Sequence, residues 1–148
     1  MRAVIQRVSS ASVTVDGKEI SAIDLGFLIL LGVEKNDKLE DLNYMVKKTI
    51  GLRIFKDDKN KMNHSIQDVS GGTLVVSQFT LCADTQKGRR PSYLNAASPE
   101  MAKDMYGQYC KKLRGENISV KTGRFGAMMD VELINDGPVT IMLDSRNK

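Results

Sequence analysis

The triplet Asp136-Gly137-Pro138, set between the apolar runs 128–134 and 139–143, constrains this chain more than any other feature. Glycine opens positive φ, while proline fixes φ near about −65° and removes an N–H donor, so the backbone must bend between two strand-like segments. A second segment upstream complements it. Thr73-Leu74-Val75-Val76 suits a pleated surface and runs into Ser77-Gln78-Phe79-Thr80-Leu81. Read as one strand, it projects Gln78 and Thr80 to one face and Ser77 and Phe79 to the other, so a single wall carries an amide and a hydroxyl. Taken alone, the first segment also fits an ordinary turn and the second an ordinary core strand.

At 148 residues the chain is long enough for one hydrophobic core and short for two domains. No apolar run approaches the roughly 18 residues that span a bilayer, and the first residues lack the pattern of a signal peptide, which predicts a cytoplasmic protein. Cys82 and Cys110 form neither a disulfide framework nor a metal-ligand spacing. With no phosphate-binding glycine loop or dinucleotide fingerprint either, no cofactor and no metal are expected. The net charge of +4 is compatible with a polyanionic partner. Basic residues cluster at Lys87, Arg89 and Arg90, at Lys111, Lys112 and Arg114, and at Lys121 and Arg124. The middle group also suits a helix C-terminus.

Alternation over residues 2–8, then Val13-Thr14-Val15 before Asp16-Gly17, predicts a strand, a short connection and a second strand. Residues 25–33 read as a continuous buried strand. Asn36 or Asp37 caps a helix running to about Thr49, with Leu39, Leu42, Met45, Val46 and Ile50 at helical spacing. A short strand at 53–55 and a charged turn at 56–63 follow. Ser98-Pro99 opens a second helix with Met101, Met105, Tyr109 and Leu113 on one stripe, ended by Gly115. Strands near 118–122, 128–134 and 139–143 complete the order β-β-β-α-β-β-α-β-β-β. The pattern predicts one mixed α/β domain over 1–148, with β-sheet or barrel-like layers and two helices.

The two opening segments match the signature motifs of the D-aminoacyl-tRNA deacylases, and the chain resembles that family from its first residues almost to its last. The likeness is carried also by Met1-Arg2-Ala3-Val4-Ile5-Gln6-Arg7-Val8, Gly51-Leu52-Arg53-Ile54-Phe55, Lys61-Met62-Asn63, Gly88-Arg89-Arg90-Pro91-Ser92 and Thr122-Gly123-Arg124-Phe125-Gly126-Ala127. The resemblance implies a hydrolase that cleaves the ester of D-aminoacyl-tRNA to free D-amino acid and tRNA, and that also removes glycine. It implies a catalytic segment of Ser77, Gln78, Phe79 and Thr80. It implies, too, a wall at Gly137 and Pro138 for chiral selection. In the family this Gly-Pro bond is cis and enters the site of a partner subunit, so a homodimer is expected. Arg7 either anchors the wall through nearby carbonyls or is a plain surface arginine. Phe125 and Met129 are implied to lie beside the terminal adenosine, where a ring suits a base; family members often carry Asp in place of Met128.

Ester hydrolysis passes through a tetrahedral oxyanion, which calls for N–H donors and a route for a proton. A Ser-His-Asp arrangement would need His64, the only histidine, which lies far from both signatures in sequence. Thr80 as nucleophile lacks an activating base. The preferred reading has backbone amides around Phe79-Thr80 and the Gln78 and Thr80 side chains positioning the ester while the substrate's 2′-hydroxyl assists proton transfer. The alternatives are a non-catalytic RNA-binding module and a small-ester hydrolase using Thr80.

Overall fold

A computed structural model describes residues 1–86 and 88–147; Lys87, singled out above among the basic residues, lies outside the described residues. The order is β1 (Arg2–Val15), β2 (Lys18–Ile23), β3 (Gly26–Gly32), α1 (Leu39–Gly51), β4 (Phe55–Lys56), β5 (Met62–His64), β6 (Gly72–Ser77), a 3-10 turn (Phe79–Cys82), α2 (Pro99–Gly115), β7 (Ser119–Thr122) and β8 (Asp130–Asp144).

The long first strand organises the sheet. On one side β1 pairs antiparallel with β3 over residues 2–8 and with β2 over residues 11–15. On the other it pairs antiparallel with β8 from Arg2 to Thr14. β3 then pairs parallel with β6, and β6 parallel with β7. Side chains alternate across these strands and feed two cores. Phe27, Ile29, Leu31 and Val75 meet Leu42, Met45, Tyr109 and Leu113 of the helices. Leu28, Leu74 and Val76 meet Val8, Ala11 and Val13, with Val131 and Leu133 packed against them, so the sheet curls over a second core. As expected, β3 is covered on both faces. The buried Thr49 Oγ1 and Tyr109 Oη lie 2.7 Å apart and link α1 to α2.

Several boundaries differ from the sequence pattern. Residues 2–8 and 13–15 belong to one strand, because the intervening Ser9-Ser10 continues beside β8 instead of turning. The polar segment 18–23 is a strand that the alternation left unmarked. Lys38, not Asn36 or Asp37, stands at the start of α1, where its N–H donates to Asp41 at 2.9 Å. Asp37 is drawn away: its carboxylate accepts from the Met1 ammonium at 2.5 Å and from the Glu34 N–H at 2.6 Å. Within the charged turn, Met62–His64 folds back to pair with Phe55–Lys56. Ser98 caps α2 as expected, accepting from the Met101 N–H at 3.3 Å.

The runs on either side of Gly137-Pro138 also form one strand, not two. Both flanks pair with β1, but Gln6 faces Thr140 whereas Val8 faces Asn135, so residues 136–139 bulge out opposite the single residue Arg7. Asn135 closes the neck, its Nδ2 donating to the carbonyls of Arg7 at 3.1 Å and Val139 at 2.9 Å. The Gly137-Pro138 peptide is cis.

Parallel pairing of β3 with β6 depends on a contact between two glycines. A Cβ on Gly26 would stand 1.8 Å from the Gly72 carbonyl oxygen, a backbone atom with no rotamer by which to retreat. Gly26→Ala is expected to lower unfolding free energy by about 3 kcal/mol, seen as a reduced urea midpoint. An unchanged midpoint would mean that the strands separate here at no cost.

Candidate active site

β6 delivers the first signature to the end of the sheet. The Gln78 N–H donates to the Leu31 carbonyl at 2.8 Å, the last rung before the chain leaves the ladder. Phe79–Cys82 then wraps into a 3-10 turn, so the expected strand through Leu81 ends at Ser77. Alternation therefore fails as the reason for pairing Gln78 with Thr80, although the two still meet: Gln78 Nε2 donates to Thr80 Oγ1 at 2.5 Å. The turn has a second consequence. Its leading N–H groups have no preceding turn to bond to, and those of Phe79 and Thr80 make no hydrogen bond among the described residues. Arg2 braces the turn from behind, its Nη1 donating to the Leu81 carbonyl at 3.1 Å.

A cleft of about 610 Å³ opens over this turn. Ser77, Gln78, Phe79 and Thr80 line one part; Phe125, Ala127, Met128 and Met129 line another. Ala96, Ala97, Pro99 and Ala102 complete it from the start of α2, and nothing in the sequence marked them as lining because small side chains carry no chemical signature. Tyr106 was marked by no motif either. Its hydroxyl donates to the Val75 carbonyl at 2.7 Å, and its ring lies 6.0 Å from that of Phe125, so α2 secures β6 and the opposite wall together. Met128 is 90% exposed at the mouth.

Arg7, Gly137 and Pro138 are not among the residues lining this cleft. Arg7 is no surface arginine: it is 1% exposed and lies beneath the bulge of β8. Its Nε donates to the Asp136 carbonyl at 3.2 Å and faces the Asp136 carboxylate at 3.0 Å, while Nη1 donates to the Ile54 carbonyl. Gly137 and Pro138 are exposed above it. A side chain at Gly137 would collide with this support, since its Cβ would lie 2.8 Å from both Arg7 Nη2 and Val139 Cγ2, at φ +126°.

His64 lies in β5, paired with Phe55 and outside the cleft lining. Cys82 and Cys110 are buried, and burial pushes each thiol up to about 11, so neither is poised as a thiolate. Among the described residues, no three His, Cys, Asp or Glu side chains converge on a possible metal position. No helix of the described chain is long and apolar enough to cross a membrane.

Such a cleft offers free backbone N–H donors beside an amide–hydroxyl pair and an aromatic wall, the equipment of an acyl-ester hydrolase without a strong side-chain base. Residues 4–144 match the family model described as D-Tyr-tRNA(Tyr) deacylase. The D-aminoacyl-tRNA deacylase of Thermosipho melanesiensis is 57% identical over 147 residues, covering 99% of this chain and 98% of that protein. That of Exiguobacterium sp. (strain ATCC BAA-1283 / AT1b) is 55% identical over 144 residues, covering 97% and 98%. Among solved structures, the c-Myc DNA Unwinding Element Binding Protein superposes with a TM-score of 0.92 at 42% identity, covering 97% of this chain and 98% of that one. A probable eukaryotic D-amino acid tRNA deacylase shares the fold at a TM-score of 0.76 and 17% identity, covering 96% and 97%. The chain belongs to the D-Tyr-tRNA(Tyr) deacylase family.

Arg7→Met keeps the aliphatic stem but leaves the Ile54 and Asp136 carbonyls without their donors. Loss of these bonds is expected to cost about 2 kcal/mol or more in urea unfolding. A variant as stable as the parent would mean that the bulge holds itself without the guanidinium.

Proposed function

We propose that residues 1–148 form one deacylase domain, a cytoplasmic editing hydrolase acting on D-aminoacyl-tRNA without cofactor or metal. The observation that carries this reading is the 3-10 turn at Phe79–Cys82, which sets two unbonded amides and the Gln78–Thr80 pair in one cleft with Phe125 and Met129. In the proposed reaction the terminal adenine rests against Phe125 and Met129, and the ester carbonyl oxygen points at the Phe79 and Thr80 N–H groups. Water adds to the carbonyl carbon, and the negative charge that develops on its oxygen is met by dipoles already in place. The acyl carbon–oxygen bond then breaks, and the proton shed by the water reaches the departing 3′-oxygen through the ribose 2′-hydroxyl. Thr80 orients the ester and does not attack it, for His64 lies outside the cleft lining and no other imidazole exists in the chain.

Rejection of L-aminoacyl groups is assigned to Gly137-Pro138 lent by a second copy of the chain. Three features support this. The pair is exposed yet absent from its own molecule's cleft lining. It is pinned from below by Arg7. Phe79 at 55% and Met128 at 90% exposure leave apolar surface at the cleft that a second copy would cover. A glycyl ester has no side chain to exclude, so it is hydrolysed too. A non-catalytic nucleic-acid-binding role is the rival reading, and turnover separates the two.

The test incubates the protein with D-tyrosyl-, L-tyrosyl- and glycyl-tRNA and follows ester loss. The D and glycyl forms are expected to be hydrolysed and the L form to survive. Equal loss of D and L would remove the chiral wall, and no loss of any would leave the binding module. Thr80→Ala should slow the D reaction by about 10- to 100-fold, the value of one hydrogen-bond partner. Complete inactivation would restore Thr80 as nucleophile.

A further inference from the structure

Three arginines are left unused by the fold, and each is close along the chain to a residue that lines the cleft or packs on its lining. Of the eight in the chain, Arg2, Arg7 and Arg146 enter ion pairs. Arg53 and Arg114 donate to the carbonyls of Asn63 and Val120. Arg89, Arg90 and Arg124 are exposed, and among the described residues their side chains make no hydrogen bond or ion pair.

Their placement follows from the chain path. Arg124 immediately precedes Phe125 of the cleft wall. On the other side, Asp84 and Ser92 exchange backbone hydrogen bonds of 2.8 and 2.9 Å, closing the base of the loop that carries Arg89 and Arg90. Tyr93, next to that base, packs edge-on against the lining residue Phe79 with ring centroids 5.0 Å apart. Arg90 is three residues before Tyr93, so its Cα lies within about 11 Å of Tyr93's. Across segments 83–97 and 121–129 the sequence sets Lys87, Arg89, Arg90, Lys121 and Arg124 against the single acid Asp84. Asp84 is itself engaged, accepting from the Gln86 N–H at 2.9 Å.

We infer that Arg89, Arg90 and Arg124 grip phosphodiesters of the single-stranded 3′ end of tRNA where it enters the cleft. This rests on the deacylase reading, in which the terminal adenosine is inside and the strand behind it must pass the mouth. A guanidinium with no internal partner suits a phosphate, whose oxygens match its planar fork. Arg89 and Arg90 on one side and Arg124 on the other would hold the strand from two directions.

The test compares the parent protein with the triple variant R89A/R90A/R124A on two substrates: D-tyrosyl-tRNA, and the 3′-D-tyrosyl ester of adenosine alone, which has no phosphodiester. On tRNA the variant should show a raised KM with little change in kcat. Between 50 and 200 mM salt the parent's kcat/KM should fall about 20-fold more than the variant's, as three single-strand phosphate contacts imply. On the adenosine ester the two proteins should behave alike, which also reports that the variant is folded. A variant matching the parent in KM and salt dependence on tRNA, or losing activity equally on both substrates, overturns the inference and leaves the deacylase reading standing. A parent inert toward both substrates instead defeats the deacylase reading itself.

Discussion

A guanidinium buried beneath a bulge is the contact on which the geometry of this molecule turns. Arg7 extends from β1 to the Asp136 carbonyl on one side and the Ile54 carbonyl on the other, so three separate stretches of chain are set by one side chain. Desolvating a cation is costly, and hydrogen bonds must offset that cost. The Asp136 carboxylate at 3.0 Å contributes less than its distance suggests, because it is 42% exposed and water screens it. The two carbonyl bonds matter more, and they explain the residue type. A lysine ammonium is a point charge on a flexible stem, whereas the planar fork of arginine reaches divergent acceptors at once.

The same strand carries that order to the cleft. Residues 2–8 of β1 pair with β3, β3 pairs in parallel with β6, and the last β3–β6 rung releases Gln78 into its turn. Arg2, five residues from Arg7 on β1, holds the far end of the turn through the Leu81 carbonyl. The cleft and the exposed Gly137-Pro138 bulge are therefore fixed on one rigid sheet although the bulge does not line the cleft. Within one chain they lie apart. The proposed dimer is the arrangement that unites them.

Much of this was legible in the chain. The buried β3, the stripe of Met101, Met105, Tyr109 and Leu113, and the Ser98 cap follow from local rules that tertiary contacts do not disturb. The errors share a cause: they fall where a distant partner decides. Gly137 and Pro138 look like an ordinary turn between two strands because both residues favour turns, yet both flanks have β1 as neighbour, which makes the excursion a bulge. Asp37 looks like a cap until the Met1 ammonium claims it. Ser77 to Leu81 looks like a strand because the apolar spacing continues, whereas the chain turns at Gln78. Of the residues named from resemblance, Ser77, Gln78, Phe79, Thr80, Phe125 and Met129 converge in one cleft, and Arg7, Gly137 and Pro138 converge elsewhere. Tyr106 was illegible because its role depends on the Val75 carbonyl, and a backbone acceptor leaves no mark in a sequence.

The assignment of chiral selection to main chain rests on what mirror images allow. D and L esters carry the same atoms and the same total apolar area, so hydrophobicity as such does not separate them; shape must, and the proposed wall does so by exclusion. A tenfold preference needs about 1.4 kcal/mol, so a ratio of ten thousand needs roughly 5.5. A wall of side chains yields before that, since an off-rotamer shift of about 30° costs only about 0.5–1.5 kcal/mol. The bulge at 136–139 has fewer ways to give. Its neck is closed by Asn135, its underside is filled by Arg7, and Gly137 has no room even for a methyl group of its own. For an L side chain pressed against it to be admitted, those hydrogen bonds would have to break together. Rigidity of this kind rejects a wrong hand without needing any contact that prefers the right one, which is why the proposed selectivity belongs to the backbone and its anchors and not to the walls of the cleft.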